Sequence, residues 1–174
     1  MLLTTSTRGG AGGQAIGIAL LGIDGPATNP TTLHGNTVTG MFGGSGGVGY
    51  LRGGDGGNAT GVLVFADGSP FNASTVTGSQ VSSLLGGNGG PSHDAGGNGG
   101  GSIGIITFRV VPTYISNSVS SVVGGNGGSA AVTSPAGAGG QAAGIGAIHT
   151  PSGTSSTDMV STVANGSAGI GKAP

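Results

Sequence analysis

Paired glycine tracts return four times along this chain of 174 residues, and that repetition restricts the fold more than any single residue does. A tract running into an apolar segment occurs as GGQAIGIAL (Gly12 to Leu20), GGNATGVLV (Gly56 to Val64), GGGSIGIIT (Gly99 to Thr107) and GGQAAGIGA (Gly139 to Ala147). Gly17, Gly61, Gly104 and Gly144 hold equivalent places, 44, 43 and 40 residues apart. A second motif runs from alternating polar and apolar residues into glycine: NTVTGMFGGSGG from Asn36, SQVSSLLGGNGG from Ser79 and NSVSSVVGGNGG from Asn117. Its fourth copy, DMVSTVANGSAG from Asp158, is decayed and keeps only Gly166 and Gly169. A period of this size marks one supersecondary module that cannot bury its apolar face alone, so neighbouring modules must stack. The expected organisation is one domain over 1–174, in units of approximately 1–40, 41–83, 84–121 and 122–174.

Within the tracts a shorter period of three appears, as GGSGGV from Gly43, GGDGGN from Gly53 and GGNGGP from Gly86. A polyproline II helix has three residues per turn, so side chains such as Ser45 and Val48, or Asp55 and Asn58, fall on one face. The other two faces are bare backbone that can exchange hydrogen bonds with neighbouring tracts. Glycine loses more freedom on ordering than any other residue, so a lone tract would not hold this shape. Between tracts, Ala15–Leu20, Val62–Phe65, Ile103–Phe108 and Ala143–Ile148 read as strands. The alternation Val38-Thr39, Val81-Ser82, Val119-Ser120 and Val160-Ser161 marks a second, half-buried strand in each unit. Pro26, Pro30, Pro70, Pro112 and Pro151 are assigned to the turns joining these two strands. The predicted class is all-β: a short parallel β-solenoid of about four coils, with polyglycine II hairpins packed alongside. The alternative is two layers of short antiparallel strands flanked by a polyglycine bundle.

This order of an N-x-V strand, GGNGG, a short tip, GGxGG and then A/S-x-G-I resembles the glycine-rich parallel β-helix repeat proteins of microbial surfaces. The GGX tracts alone are similar to polyglycine II modules of phage tail-fibre adhesins and springtail antifreeze proteins. The resemblance implies a secreted or surface location and a structural or adhesive role, and it transfers no catalytic residue.

Composition narrows the function. Charged residues make up 5% of the chain, and Arg8, Arg52, Arg109 and Lys172 are scattered, which leaves no footprint for nucleic acid. The longest apolar run, Ala15 to Ile23, is too short to span a bilayer. The start Met1-Leu2-Leu3 lacks the features of a signal peptide, so secretion would require a leader outside this sequence. A neutral surface of Ser, Thr, Asn and Gly points to an extracellular or cell-surface setting. The acids and bases, His34, His93, His149, Asp24, Asp55, Asp67, Asp94 and Asp158, do not converge as catalysis requires, so no enzyme activity, cofactor or metal is expected. Asp55 offers calcium one carboxylate where several oxygens are needed. Gly166 to Lys172 imitates a phosphate loop, but Ala173 replaces the required hydroxyl.

Three surfaces are candidates. Leu2, Leu3, Val160 and Val163 lie at similar phases of the repeat near opposite ends, where copies of the protein would join head to tail into a filament or surface layer. The tips carrying Tyr50 and Arg52, and His93 and Asp94, differ between repeats as a recognition surface for a glycan would. A regular face of the tracts could bind ice, although its outward residues are mixed. Asn58, Asn72 and Asn165 occupy N-x-S/T sequons. Asn58 is also expected to form a ladder of amides with Asn98 and Asn126.

Overall fold

In the computed structural model, which describes residues 7–22, 31–66, 73–131, 134–148 and 154–171, each repeat contributes three strands. The first coil holds β1 (Ala15–Leu21), β2 (Thr31–His34) and β3 (Thr37–Phe42). The second holds β4 (Ala59–Phe65), β5 (Ala73–Thr77) and β6 (Gln80–Leu85), and the third β7 (Ser102–Phe108), β8 (Val111–Ile115) and β9 (Ser118–Val123). The fourth holds β10 (Ala142–Ile148), β11 (Thr154–Ser156) and β12 (Met159–Ala164). Equivalent strands pair in parallel into three four-stranded sheets, in the orders β1-β4-β7-β10, β2-β5-β8-β11 and β3-β6-β9-β12. The fold is therefore all-β, parallel and solenoid-like. The antiparallel two-layer alternative is overturned, since every strand pairs with the same strand of the next coil.

The sheet built from β2, β5, β8 and β11 was absent from the two-strand reading of each repeat. Its strands are short, and β8 contains Pro112, which sits paired with Ser74 rather than in a turn. Proline is compatible with a strand only where its missing N–H is not required, and so its presence masked the strand. Pro26, Pro30, Pro70 and Pro151 lie outside the described residues.

Val62, Val64, Val76, Val81, Leu84, Ile105, Val119 and Val122 fill the interior of the coils, each at most 1% exposed. Full burial of such a side chain contributes about 1.5–3 kcal/mol, which makes the stacked aliphatic columns the main source of stability. Gly61 and Gly104 let these columns close: a Cβ on either would strike a valine of the facing strand, Val81 or Val119. At the bend between the second and third sheets, Gly35, Gly78, Ser116 and Thr157 all take positive φ, from 52° to 64°. The glycines adopt it freely, whereas Ser116 and Thr157 do so at a cost of about 1 kcal/mol or more each.

Tyr114 brings a hydroxyl in among the aliphatic columns. The Tyr114 hydroxyl donates to the Gly146 carbonyl at 2.8 Å and meets the Thr107 hydroxyl at 2.8 Å. Burial pushes its pKa above the ordinary tyrosine value of 10.0, with the Asp158 charge adding to the rise and the Thr107 bond opposing it. The folded state thus favours the neutral phenol. Its contribution is complete below the unfolded pKa and is lost as pH climbs through the raised folded one. Tyr114→Phe should reduce unfolding free energy by about 1 kcal/mol at neutral pH. In denaturant titrations it should also remove the Tyr114 part of the alkaline loss of stability above pH 10 or so.

Candidate functional site

Beyond each third strand the chain leaves the coil in a glycine tract, turns, and comes back to the next coil. The outgoing tracts (43–49, 86–92, 124–130, 165–171) form one layer, and the returning tracts (8–14, 52–58, 95–101, 135–141) a second. Within a layer, every third N–H bonds to the next tract, as in Gly43 to the Leu85 carbonyl and Gly46 to that of Asn88, at 2.9 and 2.8 Å. The following glycine bonds across the layers, as in Gly87 to the Gly57 carbonyl and Gly90 to that of Gly54, both 2.8 Å. The third position faces outward, and where the preceding tract carries Asn or Asp there, that side chain supplies the partner of its N–H. Asp55 Oδ1 accepts from Asn98 N (2.7 Å), Asn98 Oδ1 from Ala138 N (3.0 Å), Asn88 Oδ1 from Asn126 N (2.9 Å) and Asn126 Oδ1 from Ser167 N (2.9 Å).

An amide ladder therefore exists, but with different membership from the expected one. Asn98 belongs with Asp55, Asn126 belongs with Asn88 on the other layer, and Asn58 Oδ1 instead accepts from Gly101 N at 2.7 Å. The three-residue phase separates Asn58 from Asn98, because the columns run through Asp55 and Asn98, and through Asn58 and Gly101. The structural use of the Asn positions was visible in the sequence; their pairing needed the register.

The layers hold their tips side by side. Asp94 N and Ala95 N donate to the Tyr50 and Leu51 carbonyls, both at 3.1 Å, which pins the second tip onto the first. The Tyr50 ring then stacks on His93, centroids 4.8 Å apart and planes within 4°. His93 Nδ1 lies 2.7 Å from Asp94 Oδ1. Tyr50 is 45% exposed, and Leu51 beside it is exposed as well. Three of the four tip residues read from the sequence thus form one patch. Arg52 does not join them: its guanidinium points down the tract to Asp55, at 3.1 and 3.4 Å from the two carboxylate oxygens. Asp55 is occupied by Arg52 and Asn98 N, and among the described residues no three His, Cys, Asp or Glu side chains gather as a metal site.

The remaining candidates are scattered. Leu2, Leu3 and Asn72 lie outside the described residues. Asn165 Oδ1 accepts from Ala142 N at 2.8 Å, at the edge of the fourth coil. Val160 and Val163 are 49% and 38% exposed, although their equivalents Val119 and Val122 in the third coil are sealed. Among the described residues no helix is long and apolar enough to cross a membrane.

No protein-family model matches the chain, and no curated protein does. Among solved structures, a springtail antifreeze protein from Granisotoma rainieri, described as a bundle of nine polyproline type II helices whose crystal waters match the ice lattice, is 23% identical. The match spans 99% of this chain and 100% of that one, with a TM-score of 0.27. At that score the likeness carries no argument about function.

Proposed function

We propose that this protein is a non-catalytic recognition scaffold of the cell exterior, a single repeat domain whose polyglycine II hairpins display a glycan-binding patch at their tips. The observation that carries this reading is the exposed Tyr50–His93 stack with the Asp94 carboxylate at its edge. An aromatic ring offers a sugar an apolar platform, and an adjoining carboxylate and imidazole accept or donate hydrogen bonds to its hydroxyls. Two tips bonded through their backbones hold these groups in place before binding, which lowers the entropic cost of association. Binding to a panel of immobilised glycans, measured for the wild type and for Tyr50→Ala, tests it. The expected result is a loss of at least about tenfold in affinity, or ~1.4 kcal/mol, with unchanged melting temperature. Binding that survives both Tyr50→Ala and His93→Ala would move recognition away from the tips. Growth of ice in the presence of the protein separates the ice-binding alternative; the outward columns, Val48 with Pro91, Ser129 and Ile170, are too mixed in polarity to favour it.

A second reading, head-to-tail joining of copies, is favoured by a separate observation. The core positions of the fourth coil, Val160 and Val163, are open to solvent. The first coil likewise offers partly buried Ile18, Leu20, Leu33 and Met41. An open coil with unpaired strand edges is a template for another.

A further inference from the structure

We infer that Asn36 is the polar key that sets the register when the fourth coil of one copy meets the first coil of the next. This rests on the head-to-tail reading and names the contact within it. Asn36, Ser79, Asn117 and Asp158 occupy one column, at the bend that leads into the third sheet. In the third coil this position bonds back to the coil before it: Asn117 Nδ2 donates to the Val76 carbonyl at 2.8 Å, and Asn117 Oδ1 accepts from Ser79 N at 3.0 Å. Asn36 is the same residue type at the same place in the first coil, but among the described residues no preceding coil faces it. Its Nδ2 is enclosed and has no hydrogen-bond partner.

The missing acceptor is present at the other end of the molecule. Val76 pairs in register with Tyr114, and Tyr114 with Ser155. Since the Val76 carbonyl points toward the following coil, the Ser155 carbonyl points to where a fifth coil would lie. β11 is an edge strand of its sheet, as β2 is at the opposite edge. If a second copy continues the stack, Asn36 can turn to the orientation of Asn117 and donate to that carbonyl. The same join brings Val38 and Met41 against Val160 and Val163, continuing the aliphatic columns. It would exchange the bond between Ala142 N and Asn165 for one to the Gln14 carbonyl of the neighbour, following Ala59 N to Gly101 and Ser102 N to Gln141. A buried amide satisfied in only one alignment specifies that alignment, as polar residues in otherwise apolar seams do.

Sedimentation velocity over a concentration series, with negative-stain imaging, would be run on the 174-residue wild type, Val160→Arg and Asn36→Leu. The inference expects concentration-dependent linear assembly of the wild type and its loss in Val160→Arg. It expects at least tenfold weaker assembly of Asn36→Leu, whose monomer melts no lower than the wild type because no bond was lost. Assembly that is blocked by Val160→Arg but untouched by Asn36→Leu would overturn the key and leave head-to-tail joining standing. A wild type that stays monomeric throughout would overturn both. A marked fall in monomer melting temperature for Asn36→Leu would show that the amide acts within the coil, against the inference.

Discussion

Gly87→Ala should reduce the free energy of unfolding by about 3 kcal/mol or more, whereas Gly10→Ala should change it by about 0.5 kcal/mol or less. Both glycines lie in GGX tracts, and neither has a positive φ, so backbone strain does not distinguish them. Space does. A Cβ on Gly87 would run into the carbonyl oxygen of Gly44 and lie 2.6 Å from its carbon, and both atoms belong to the backbone of the neighbouring outgoing tract, which cannot swing aside as a side chain would. The two tracts would have to separate, weakening the bonds between them, Gly43 N to the Leu85 carbonyl and Gly46 N to that of Asn88, each worth about 0.5–1.5 kcal/mol net. Around Gly10 none of the described residues lies within 4 Å of the added carbon. Urea denaturation of both variants would check the difference: the midpoint should fall for Gly87→Ala alone. Equal behaviour would mean that neighbouring tracts of the outgoing layer do not approach each other this closely.

The glycine at two of every three tract positions is thus a steric demand of the inner faces, and this was legible as the GGX period. So was the parallel stacking of repeats, because equivalent apolar positions recur at a nearly constant spacing and a solenoid is the simplest way to superpose them. The second sheet was not. Thr31–His34 and Thr154–Ser156 are too short to show a periodicity, and Val111–Ile115 hides behind Pro112. They become strands because the flanking longer strands bring them into register with one another, a tertiary effect that overrides local preference. At the tips the sequence supplied the residues, and the structure supplied the partition. Tyr50, His93 and Asp94 are joined by the lateral bonding of the tracts, while Arg52 is one residue inside the tract and finds Asp55 on its own outward face three positions on. Nothing in the residue types foretold which of the four would turn away.

The sequence aligns Asn36, Ser79, Asn117 and Asp158 as the first residues of the second motif but does not show what their side chains bond to, since an Asn before a strand ordinarily reads as a turn residue exposed to water. Yet Asn117 is fully buried and bonds to Ser79 N, the Val76 carbonyl and Asp158 Oδ1. Asn117→Leu keeps roughly the same volume and removes all three. Ser79 and Val76 are themselves fully buried, so water cannot replace the lost partners. An unpaired buried donor or acceptor costs about 1–3 kcal/mol, more beside a carboxylate, against a gain of roughly 1–2 kcal/mol for the extra apolar burial. The expected net loss is about 3 kcal/mol, read as a lower denaturation midpoint. The same substitution two coils away, Asn36→Leu, should leave the isolated protein as stable as before, because there the amide has nothing to lose. Opposite outcomes for one substitution at two places in one column would show that an asparagine here is worth only what the preceding coil gives it. Equal losses at both positions would mean that Asn36 is already satisfied within its own coil, and that the open end of the stack asks for no partner.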